Sequence, residues 1–243
     1  MSELRNFPQT GARTEAAIDQ GLRAYMLKVY NYMAAGLALT GIAAIGTYNL
    51  AVGANGLTPF GNALFNSPLK WVLVLAPFAL VIFLSFRLHK LSVATAQAMF
   101  WLYAALMGVS FASLGMVYAH SSIAQVFLIT SVTFGAVSLY GYTTKRDLTG
   151  MGSFLFMGLI GIIIASVVNI FMASSALSFA LSIIGVLVFT GLTAYDSQKI
   201  KEMYFEGDGA EVTGQKAISG ALTLYLDFIN LFLSLLRIFG NRQ

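Results

Sequence analysis

The sequence predicts an all-α membrane protein, a bundle of seven transmembrane helices, and three observations carry that prediction. Of the 243 residues, 58% are hydrophobic and only 10% charged, where a soluble domain usually carries about 25% charged residues. Mean hydropathy is +0.77. The apolar residues gather into seven runs, most near the ~20 residues an α-helix needs to cross a bilayer. Barrel strands would be about ten residues long and alternately polar, which this pattern is not.

Taken in order, residues 14–30 mix charges with Ile18, Leu22, Tyr25, Met26 and Val29. That spacing suits an amphipathic helix on the membrane surface, with Asp19 and Arg23 paired on its wet face. The expected division is thus an N-terminal tail with an interfacial helix over residues 1–25 and a single seven-helix domain over 26–243. The spans are expected at Met26–Leu50, Leu69–Phe86, Ala94–Tyr118, Ile123–Tyr142, Met151–Ala173, Leu177–Ser197 and Ile218–Phe239. Pro77 should kink the second, because it cannot donate the bond that closes a helical turn. Ala104-xxx-Gly108 and Ser131-xxx-Gly135 place small residues on one face of the third and fourth, which permits close helix packing. The seventh carries Thr223, Asp227, Asn230 and Ser234, which favours an interior position.

Charge sets the orientation. Of the 14 Lys and Arg, 11 fall in the N-terminal tail and the second, fourth and sixth connections, which predicts a cytosolic N-terminus. Arg237 and Arg242 then lie on the outer side, so the seventh segment is read as central, tilted or re-entrant. The basic residues flank apolar runs instead of forming a patch, which favours a lipid bilayer as partner and no nucleic acid. The first 15 residues have no apolar core and predict no signal peptide. With no cysteine, and with His89 and His120 in different connections, neither thiol chemistry nor a histidine metal cluster is available, and no cofactor is expected.

Of ten acidic residues, only Asp196 and Asp227 lie within apolar segments. An ionised carboxylate in hydrocarbon costs several kcal/mol or more unless it is neutralised, hydrated or paired. Asp196 is near the cytosolic end of the sixth span, and Asp227 lies roughly 13 Å into the seventh at 1.5 Å per residue. Consecutive helices on a short loop usually pack as antiparallel neighbours, so the two carboxylates are expected to meet. Two such groups in contact share a proton and titrate as a unit. The pair is therefore a candidate proton sensor, a candidate Ca²⁺ site, or both. The plainer reading is a lone aspartate capping a helix or bonding Asn230. Arg87, closing the second span, is either a basic residue that snorkels to the interface or a counter-charge for the pair. Tyr195-Asp196 echoes one element of intramembrane aspartyl proteases, but Tyr225-Leu226-Asp227 lacks the glycines of the other. No serine-protease, zinc or nucleotide motif is present, and no enzymatic activity is expected.

These residues resemble the Bax inhibitor-1 (transmembrane Bax inhibitor motif) family. The resemblance rests on Tyr30-Asn31-Tyr32-Met33-Ala34-Ala35-Gly36-Leu37 with Thr40-Gly41, on Gly191 to Ile200 (GLTAYDSQKI), and on Leu224 to Phe232 (LYLDFINLF), and it extends over nearly the whole chain. It implies six helices around a central seventh and a pH-sensitive calcium leak, with Asp196 and Asp227 as the sensing pair and Arg87 as a latch. Tyr195 and Asn230 would support the pair. The short N-terminal tail resembles bacterial members and so implies the inner membrane. Two alternatives remain open at this point: a non-conducting regulator that binds a membrane protease or stress-response machinery, and a proton-coupled transporter.

Overall fold

In the computed structural model, the backbone is described from residue 7 and the side chains from residue 18, both to the C-terminus. Seven long helices are present: α1 (Phe7–Ala51), α3 (Leu69–Arg87), α4 (Val93–Phe111), α6 (His120–Thr143), α7 (Thr149–Met172), α8 (Ser175–Glu202) and α9 (Ala210–Phe239). All seven are long and apolar enough to cross a bilayer, so the chain is a seven-span all-α membrane protein. At 30 residues, α9 reaches about 45 Å against a hydrocarbon core of about 30 Å, which removes the re-entrant reading. Short elements lie in the connections. A short hairpin, β1 (Val52–Gly53) with β2 (Gly56–Leu57), turns through Ala54 and Asn55 into Gly56, whose φ of 112° favours glycine. Thr58 accepts from the Gly61 amide to start α2 (Pro59–Phe65). A turn at Leu88–Lys90 and the one-turn α5 (Leu114–Val117) join the spans on either side.

The centre of the bundle is α9, whose most apolar stretch is 61% buried, against 11% in α3 and 6% in α7. It packs on α1, α4, α6 and α8. Its Tyr225 stands edge-on to Phe100 and Tyr103 of α4, and its hydroxyl meets Thr40 Oγ1 of α1 at 2.7 Å. Close approach between α1 and α4 depends on Gly108, where a Cβ would overlap the Thr40 carbonyl. The pair Ala104-xxx-Gly108 thus packs as predicted. Helices α3 and α7 stand farther out, α3 chiefly against α2 and α4, α7 against α8, so the ring around α9 opens between them.

Three expectations change. No break separates an interfacial helix from the first span: α1 runs uninterrupted through Gly21, because no proline falls in residues 14–30. Asp19 and Arg23 are not joined; among the described residues the one ion pair is Lys216–Asp208 at 2.5 Å. The first six residues of the predicted tail lie outside the described residues. Finally, Ser131-xxx-Gly135 packs against no helix, and a Cβ on Gly135 would meet nothing within 4 Å.

Pro77 lies inside α3 as predicted, and its consequence is visible in a neighbour. The carbonyl of Leu73, four residues earlier, lacks the donor that Pro77 cannot supply. Ser110 of α4 donates to that carbonyl at 2.6 Å. In hydrocarbon no water can replace it. Ser110→Ala is therefore expected to lower stability by about 1–3 kcal/mol, the cost of an orphaned buried acceptor, read as the midpoint of thermal unfolding in detergent.

Candidate functional site

Between Ala194 and Lys201, α8 is fastened on several sides. Gly141 of α6 lets the Ala194 backbone approach so closely that any Cβ would overlap its carbonyl. The Tyr195 ring lies on Gly152 of α7, where no side chain fits beneath it, and Lys199 sits 5.6 Å over that ring. Ser197 bonds Ser138 of α6 at 2.7 Å. Gln198 clasps the α6–α7 connection, donating to the Arg146 carbonyl and accepting from the Leu148 amide, both at 2.9 Å. Asp196 turns away from these ties and toward α9, as does Ile200 one turn on, which packs on Gly220.

There it meets Asp227. The two side chains lie within hydrogen-bonding reach of each other, on adjacent antiparallel helices as expected from the short loop. Asp227 is 5% exposed, and its Oδ2 receives no bond from any amide, hydroxyl or cation. The plainer reading through Asn230 is not realised: Asn230 donates to the Leu226 carbonyl of its own helix at 2.8 Å. Lys199, one turn along α8, is the cation whose charge acts on Asp196.

Both aspartates line a cavity of about 1170 Å³ in the opening between α3 and α7, walled by α7, α8 and α9 and reached by Phe78 of α3. From α9 its polar lining is Thr223, Asp227, Asn230, Ser234 and Arg237, flanked by Leu226 and Leu233. These positions recur at i, i+4, i+7, i+11 and i+14, which is one face of a helix. The polar stripe thus runs about 21 Å at 1.5 Å per residue, with the carboxylate pair near the end where α1 begins and Arg237 at the other.

The structure brings together Asp196, Asp227, Asn230 and Tyr195, all on this cavity. It does not bring Arg87 to them. Arg87 is exposed, makes no ion pair among the described residues and does not line the cavity, because α3 packs on α4 and the cavity lies between it and α8. Lys199 and Arg237 are the cations present instead. Arg237 was legible as the next member of the helical stripe; Lys199 had only its closeness in sequence to Asp196 as a signal.

Among the described residues no three His, Asp or Glu side chains converge. Two carboxylates supply at most four of the about six to eight oxygens Ca²⁺ prefers, which suits an ion in passage with its water better than a resident one. Asp147, outside the spans, is held below the usual carboxylate range by hydrogen bonding from Thr149, whose amide donates to it at 2.8 Å. It stays ionised well below neutral pH and carries no response near pH 7.

The family described as Inhibitor of apoptosis-promoting Bax1 matches residues 22–243. Relatives include the uncharacterized protein RP147 of Rickettsia prowazekii, 51% identical over 93% of this chain and 92% of that one. The inner membrane protein YbhL of Escherichia coli is 50% identical over 92% and 94%. An uncharacterized protein of Deinococcus radiodurans is 40% identical over 99% and 100%.

Proposed function

This chain belongs to the Bax inhibitor-1 family, and on that premise we propose that it is a pH-regulated cation leak, chiefly for Ca²⁺, governed by Asp196 and Asp227. The observation that carries the reading is the meeting of these two side chains at one end of a polar stripe that follows α9 across the bundle. With no other donor at Asp227 Oδ2, a proton shared between the carboxyls is what satisfies the contact. Losing that proton leaves two negative charges side by side in a low-dielectric setting, which repel each other and attract a divalent cation. The pair thereby couples helix spacing and cation binding to one titration.

The bias of basic residues orients the carboxylate end toward the cytosol, and the Escherichia coli relative, an inner membrane protein, supports the inner membrane as its location. Arg87 enters as a latch that only a movement of α3 would engage. That helix is held mainly by α2 and α4 and borders the opening, so its displacement toward the cavity would carry Arg87 with it. The reading assigns the chain no catalytic step.

The test is Ca²⁺ entry into dye-loaded proteoliposomes, followed from mildly acidic to mildly alkaline pH. Flux that changes with pH in the natural chain, and no longer does so in the Asp196→Asn, Asp227→Asn double variant, is expected. Equal flux and equal pH response in both would overturn the reading. Arg87→Gln is expected to raise flux under the conditions where the natural chain conducts least, because the latch is gone; unchanged flux removes Arg87 from the mechanism.

A further inference from the structure

The second large hollow of the molecule lies on the other side of α9. Helices α1 and α6 both pack on α9 but scarcely on each other, leaving a groove of about 760 Å³ that opens sideways to the bilayer. Phe228 of α9 forms its floor; Ala34 and Ala38 line one wall, Ser131 and Gly135 the other. The wall contributed by α6 extends from Phe127 to Tyr142. Here the unpaired small residues of α6 find their place: they keep a channel open instead of seating a helix.

About 760 Å³ spread over the ~22 Å from Phe127 to Tyr142 is a long, narrow furrow open to the acyl region of the bilayer, the shape of an extended hydrocarbon chain. The chemistry at its end decides what fills it. One end of the groove is polar. Tyr30 bridges to Ser138 at 2.7 Å, and Ser138 to Ser197, which places a chain of hydroxyls near this end. At the same end Lys201 donates to the Tyr142 carbonyl at 2.9 Å and lies 5.3 Å over the Tyr142 ring. An ammonium has three donors, so two remain for an anionic group. This is the end that the basic-residue bias assigns to the cytosol.

We propose that the α1–α6 groove binds one acyl chain of an anionic phospholipid from the cytosolic leaflet, with Lys201 holding the headgroup phosphate. The site is separate from the carboxylate cavity, and its test does not depend on ion flux. Purified full-length protein is reconstituted in phosphatidylcholine vesicles containing phosphatidylglycerol with a photoreactive tail, then irradiated and mapped by peptide mass spectrometry. Adducts concentrated on residues 33–38 and 131–139 are expected. Gly135→Phe should abolish them, since its side chain has open space to enter. Gly161→Phe, on an equally open face of α7, should leave them unchanged. Lys201→Gln should remove a preference of roughly fivefold for the phosphatidylglycerol probe over its phosphatidylcholine analogue, the ratio that about 1 kcal/mol per basic residue near an anionic surface gives. Adducts in the natural chain spread evenly over the lipid-facing sides of α6 and α7 would overturn the proposal without any variant. So would groove adducts that survive Gly135→Phe in a protein that elutes and melts like the natural one.

Discussion

Asp227→Asn is expected to abolish the pH dependence of Ca²⁺ flux while leaving the protein at least as heat-stable as the natural chain. The carboxylate is buried, 5% exposed, with one oxygen lacking any donor except the neighbouring acid. An amide of nearly the same shape donates to Asp196 without needing a proton, so the contact survives and the titration does not. Removing a buried ionisable group also removes its desolvation penalty, which is why such replacements are often neutral or stabilising. Loss of response with retained stability is the mark of a group kept for what it does. Asp196→Asn should likewise flatten the pH profile, but with a smaller change in melting temperature, because Asp196 is only partly buried and has Lys199 nearby. Flux and unfolding midpoint measured side by side on the two single variants decide the matter. A variant that unfolds early and loses flux in proportion would mean that Asp227 serves packing alone.

The second large effect is structural and comes from a pair of glycines six residues apart on α6. Gly141→Leu is expected to cost more than the about 1–3 kcal/mol typical of overpacking, because its Cβ would fall on the Ala194 backbone, which cannot rotate away as a side chain does. Gly135→Leu is expected to be nearly neutral or slightly stabilising, since glycine in a helix interior is about 0.5–1 kcal/mol worse than alanine and nothing stands within 4 Å. Thermal unfolding in detergent distinguishes them. Because Ala194 is two residues from Asp196, Gly141→Leu should also part α6 from α8 and disturb the carboxylate contact. Similar melting temperatures for the two variants would contradict the close approach of α6 and α8.

The same contrast shows where the residue order is informative. Ala104-xxx-Gly108 and Ser131-xxx-Gly135 are one pattern in sequence, yet the first seats α1 and the second borders a lipid-facing groove. Small residues state that a helix face is thin; they do not state what lies against it. Ser110 carried no signal as the donor to Leu73, because the carbonyl orphaned by Pro77 is on one helix and its rescuer on another. The apolar runs leave the connection between the first two spans without an element, although Thr58-Pro59 is a helix start that short-range capping rules recognise.

Seven spans and a polar stripe on the seventh follow from local properties of the chain: the length of apolar runs against bilayer thickness and the 3.6-residue period that puts Thr223, Asp227, Asn230 and Ser234 on one face; the placing of six helices around a central seventh came with the family resemblance. The meeting of Asp196 and Asp227 was also within reach, since a short connection makes consecutive helices neighbours. Which cations face that pair was not. Arg87 matched by its level along the bilayer normal, but level is one coordinate and contact needs three. Only the arrangement of α3 beside α4, and the opening it leaves toward α7, puts Arg87 outside and Lys199 and Arg237 on the cavity. A helix sets the direction of its own side chains; the partner each one meets is set by packing between elements far apart in the chain.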